Sequence, residues 1–167
     1  MSPAPKPALA EMRDRLFEEV ERVLSAAEGL DATQLSWTPS TNGANSLLVL
    51  AAHTVGAAER HVVRGVGGGA VSGTRDEEFV VRGDLAPIRA RWDTVRRKIV
   101  ETIDNMPPGR LDDDVPKPSR LRTIHGVLVH AIAHAAEHAG QAELTRDLIK
   151  ERDAAGSDVR RGEERRG

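Results

Sequence analysis

Three histidines, His130, His134 and His138, recur at four-residue intervals near the end of the chain, and a fourth, His53, stands in an apolar run far upstream. On an α-helix each four-residue step turns by ~40°, so the downstream three share one side within ~80°. Their flanks are apolar, and Val127, Gln141, Thr145 and Leu148 fall on the same side, so this side is expected to face the core. A buried imidazole nitrogen without a partner costs on the order of 1–3 kcal/mol. A metal ion meets that demand. Rings at i and i+4 have Cβ atoms ~5–6 Å apart and can reach one ion. A third ligand must come from another helix. His53, within Leu47-Leu48-Val49-Leu50-Ala51-Ala52-His53, is the best candidate. Three neutral imidazoles leave a coordination position open, as in catalytic rather than structural zinc sites.

A single histidine on an apolar face is usually a hydrogen-bonded core residue, and it is the combination that favours a metal. His61 and His125 are read as partly exposed and without a role. His130 is read as a pocket or supporting group. His134-Ala-Ala-Glu137-His138 also fits the H-x-x-E-H pattern of one protease class, where the glutamate is general base. Those enzymes are large α/β structures, so Glu137 is left either near the site or solvated. No Glu-x-x-His occurs, which argues against a di-iron carboxylate centre. With no cysteine there is neither a disulfide nor a thiolate ligand or nucleophile.

Helical segments must position these residues. Met12, Leu16, Val20, Val23 and Leu24 give a 3.6-residue period from Ala8 to about Glu28, stopped by Gly29. Residues 31–45 read as a connector with a turn at Asn42-Gly43. A second helix is expected from an Asn45 or Ser46 cap to about Arg64, broken by Gly67-Gly68-Gly69. A short turn is expected near Asp76–Phe79. Asp84 is expected to cap a third helix with Pro87 in its first turn, and Ser119 a fourth running to Lys150 or beyond. The expected domain is residues 8–153, with disordered tails at 1–7 and 154–167.

The chain has 167 residues, a net charge of −2 and only 2% aromatic residues, so one domain with an aliphatic, helix-packed core is expected. Arg13-Asp14-Arg15 and Arg96-Arg97-Lys98 lie among acids and lack interleaved aromatics, which argues against nucleic acid. No signal-like or membrane-length apolar run is visible, so cytoplasm is the expected location. The fold class is all-α, a four-helix bundle.

The stretch His130-Ala-Ile-Ala-His134-Ala-Ala-Glu-His138-Ala-Gly140-Gln141 resembles the last-helix signature of the DinB-like superfamily. Leu35-Ser-Trp37-x-Pro39, Asn45-Ser46-Leu47 through His53, and Glu143–Leu148 extend the likeness, as does Arg75-Asp76-Glu77-Glu78-Phe79. The resemblance implies an up-down-down-up bundle. It implies a zinc or nickel ion on His53, His134 and His138, and thiol-dependent chemistry with mycothiol, bacillithiol or glutathione, either isomerisation or S-transfer to a small electrophile. Ala139 stands where many relatives carry arginine, which implies weaker contact with an anionic thiol.

The open position of such a centre would take water or a thiol, deprotonated on coordination. Gln141 is expected to orient a ligand or a ring nitrogen, and Arg60 and Arg64 either to meet an acidic group or to be solvated. The alternatives are a hydrolase using metal-bound water and a non-catalytic metal or small-molecule binding bundle. Bundles of this kind pair through exposed helix faces, so a homodimer is an expectation.

Overall fold

The computed structural model describes residues 7–107, 109–116 and 121–164. Its elements are α1 (Pro7–Ala27), α2 (Ala32–Ser36), α3 (Leu47–Ala58, continuing as a π-helical stretch, Glu59–Val66), α4 (Arg75–Phe79), α5 (Ala86–Asp104) and α6 (Ile124–Glu164). One isolated bridge, Asp114 to Thr123, clips the loop ahead of α6. No strand occurs among the described residues.

The order of the helices follows from which residues meet. Arg22 pairs with Glu143 (2.8 Å), and Arg146 donates to the carbonyls of Ala26 and Glu28 (2.7 Å each), so α1 and α6 run parallel. Arg13 meets Asp104, Phe17 packs edge-on against Trp92 at 5.5 Å, and Arg89 meets Glu21 and Glu28, so α5 is antiparallel to α1. His53 lies against His138 and His61 against His130, so α3 is antiparallel to α6. The bundle is therefore up-down-down-up.

The core is aliphatic. Leu16, Val20, Val23 and Leu24 of α1 share one core with Leu47, Leu48, Leu50 and Val55 of α3, with Trp92, Val95 and Ile99 of α5, and with an alanine seam on α6, and all twelve residues of α3 are buried. That seam (Ala131, Ala135, Ala139, Ala142) lets α1 and α3 approach closely. It also corrects the expected phase of α6. The alanines occupy the core stripe, while His130, His134 and His138 lie half-buried along its flank and Gln141 is exposed.

The ends carry further differences. Ser46 caps α3, accepting from the Val49 amide at 3.3 Å. The expected single helix to Arg64 widens at Glu59. There Gly67 N–H bonds five residues back to the Val62 carbonyl, as a π turn requires. Asp84 does not cap α5. The cap position is Leu85, without a side-chain bond, and Pro87 sits in the first turn as expected. The Ser119 cap lies outside the described residues. The helix starts at Ile124, and Thr123 Oγ1 accepts from Gly126 N–H at 3.1 Å. Helix α6 continues past Ala154 to Glu164. In the expected connector, Asp31 and Gln34 form a capping box that starts α2.

Candidate metal centre

The antiparallel contact between α3 and α6 brings His53, His134 and His138 together. One nitrogen from each lies within 4.8 Å of the others, a set that could hold a metal ion. Ring centroids are 5.1 Å apart for His53 with either partner and 4.4 Å for His134 with His138. His53 Nδ1 is 3.1 Å from Glu78 Oε2, and His138 Nδ1 is 2.8 Å from Gln141 Oε1. Both contacts leave Nε2 as the ligating nitrogen, and His138 Nε2 is buried with no hydrogen-bond partner. Two anchored rings and one orphaned nitrogen fit the outer contacts usual for metal-binding histidine.

Electrostatics favours the neutral, ligating form of His134 and His138. Burial, then the neighbouring His138, His53, His61 and His130, pushes His134 down to about 3. Burial also lowers His138, against the opposing effects of Gln141 and Glu137. A neutral ring is what a cation needs.

His61 is partly exposed, as expected, but its ring belongs to the histidine cluster. Its ring is half-buried, 4.9 Å from His130 and 5.9 Å from His134, and burial with its neighbours lowers it to about 4. Its position eight residues after His53 puts it on the same side of the helix, in the π-helical stretch. His130 stands 6.0 Å from His134. His125 is exposed, as expected, and so is Glu137.

Arg60 is half-buried and engaged within the protein. Its guanidinium grips both oxygens of Glu78, at 2.5 and 2.9 Å, while Arg64 is exposed. Glu78 is 2% exposed and has no counterpart among the sequence-derived site residues. Burial favours its neutral form, but the bonds to His53 and Arg60 outweigh that and hold its pKa below the usual carboxylate value. Behind it, buried Glu59 accepts from Lys98 (2.8 Å), Ser72 and Arg91. Two sequence signals mark Glu78. The Thr74–Glu77 capping box sets a short helix there, and Gly56 interrupts an otherwise bulky apolar helix.

Next to His138 opens a cavity of about 440 Å3, lined by Pro39, Thr41, Asn42, Asn45, Leu50, Gln141, Thr145 and Leu148 among others. No Asp, Glu, Lys or Arg lines it. A more open groove of about 770 Å3 between α1 and α6 is lined by charged side chains such as Arg22, Glu143 and Arg146, and contains no imidazole.

An up-down-down-up bundle with three imidazoles converging from its second and last long helices is the architecture of the DinB-like proteins. Residues 11–151 match the Mycothiol-S-transferase family, and the chain belongs to that family. No curated protein matches it. Among solved structures, a conserved protein from Enterococcus faecalis superposes with a TM-score of 0.70 at 18% identity, over 89% of this chain and 99% of that one. That likeness shows the shared fold. Among the described residues no helix is long and apolar enough to cross a membrane.

Proposed function

We propose that the protein is a divalent-metal-dependent S-transferase that joins a low-molecular-weight thiol to a small electrophile, with zinc or nickel held by His53, His134 and His138. The observation that carries this reading is the convergence of three imidazoles, one of which, His138, has an orphaned buried Nε2 and lines an uncharged cavity. A cation bound there would act as a Lewis acid that favours the thiolate at neutral pH.

The chain's own groups would then bind and orient. Gln141 uses its amide oxygen on His138, which leaves its N–H2 to donate to a ligand at the cavity rim. Asn42, Asn45 and Thr41 offer neutral donors and acceptors suited to sugar-like hydroxyls. Leu50 and Leu148 give the lining an apolar part that excludes water. This lining favours an uncharged polyhydroxylated thiol such as mycothiol over glutathione or bacillithiol, whose carboxylates would find no cation there. With no carboxylate in the lining, the thiol proton leaves to solvent through the cavity mouth.

The test is elemental analysis of untagged protein together with conjugation of a bromobimane-type electrophile, with mycothiol, bacillithiol or no thiol. Metal-dependent turnover with mycothiol is expected. Turnover with water alone would point to hydrolysis, and metal binding without turnover to a binding bundle.

A further inference from the structure

Gly56 lies inside α3 between Val55 and Ala57, where alanine would serve the helix better. Its φ is not positive, so backbone conformation does not demand glycine. Space does. A Cβ at this position would overlap Oε1 of Glu78. The carboxylate therefore lies flat against the α3 backbone, and it reaches that place from a different part of the chain. Thr74 caps α4 by accepting from Glu77 N–H, and Glu77 answers by accepting from Thr74 N–H at 2.6 Å. That box fixes the one-and-a-half-turn helix so that the next two residues both meet His53. Glu78 takes its Nδ1 edge, and the Phe79 ring packs 5.0 Å from the imidazole. Arg60, one turn beyond Gly56, closes the slot by gripping the carboxylate from the other side.

We propose that Glu78 is a positioning residue for the metal centre: its carboxylate accepts the Nδ1 proton of His53 and fixes the tautomer whose Nε2 faces His134 and His138, and position 56 is glycine to admit that carboxylate. The inference rests on the metal reading above and extends it to a residue outside the three ligands. Arg60 has a defined part in it. It keeps Glu78 an acceptor, so His53 is the donor at Nδ1. Losing such an outer contact typically costs 10–100-fold in metal affinity.

The test measures zinc affinity by chelator competition for wild type, Glu78→Ala, Glu78→Gln, Gly56→Ala and the Gly56→Ala/Glu78→Ala double variant, with circular dichroism for folding. Glu78→Ala and Gly56→Ala are each expected to weaken zinc binding about 10–100-fold. Glu78→Gln, which retains an acceptor oxygen, should recover part of that loss. The double variant should bind like Glu78→Ala alone, because the methyl group then fills a space the carboxylate has vacated.

A second arm needs no variant. Nitrogen-15 shifts of the metal-free wild type should show His53 protonated at Nδ1. Folded Glu78→Ala that binds zinc within twofold of wild type, or a neutral His53 whose single ring proton is on Nε2, overturns the proposal. Wild-type protein that binds no zinc refutes the metal reading instead, while the tautomer arm still decides the role of Glu78.

Discussion

Replacing His61 by glutamine should remove a measurable part of the acid sensitivity of the metal-free protein. Burial, followed by the nearby His130, Arg60 and His53, holds the His61 imidazole at about 4 where an unhindered ring titrates at 6.5. Between those values the unfolded chain accepts a proton that the folded one refuses. Stability is therefore complete above pH ~6.5 and falls as the pH drops toward about 4. Each pKa unit is worth about 1.4 kcal/mol, so the full gap corresponds to about 3 kcal/mol, of which about 2 is reached by pH ~5. The ring is half-buried, and solvent screening trims the value at pH ~5 to about 1–2 kcal/mol. Glutamine keeps a polar side chain of similar length and does not titrate. Urea unfolding followed by circular dichroism, in chelator at neutral pH and near pH 5, supplies the comparison. Wild type should lose about 1–2 kcal/mol more than His61→Gln over that interval. Equal losses, or a His61 ring titrating near 6.5 by NMR, would refute the reasoning.

Four other outcomes follow from the same structure. Wild type in zinc at a hundredfold excess over Kd should gain about 2.7 kcal/mol, read as a higher Tm, and His134→Ala should gain almost none. Ser46→Ala removes the bond to Val49 N–H and should cost about 1 kcal/mol in denaturant unfolding. Ala139→Leu forces extra volume into a fully buried position on α6 and should cost about 1–3 kcal/mol; a neutral result would mean that the seam is loosely packed. Asn45→Ala should raise KM for mycothiol roughly 2–10-fold and leave kcat unchanged, since a neutral hydrogen bond is worth about 0.5–1.5 kcal/mol.

What the sequence disclosed follows a physical line. Regular periodicity made α1, α3, α5 and α6 legible, because each buries a stripe that repeats every three or four residues. The grouping of His53, His134 and His138 was legible for a related reason, as imidazoles at helical spacing in apolar surroundings need partners. Features that depend on two distant segments meeting were not. His61 follows His53 by the same eight residues that separate His130 from His138, but only the packing of α3 against α6 shows its ring beside His130. Arg60 reads as a solvated helix end until Glu78 arrives from another part of the chain. Asp84 has the side chain of a cap, but the helix begins one residue later, with Leu85 at the cap position. The phase of α6 was misjudged because histidines at a flank and alanines at the centre produce similar spacing.

The down-down arrangement of α3 and α5 has a consequence of its own. Neighbouring helices that point the same way cannot be joined by a tight hairpin, so the chain must travel back along the bundle before starting the second. In this protein that obligatory detour, residues 67–85, is the stretch that contains α4. An alternating bundle with the same four long helices would have no chain passing over His53. The polypeptide needed to satisfy connectivity is thus also what delivers an anion to the histidine, and shortening the crossover would disturb the centre while leaving every long helix intact.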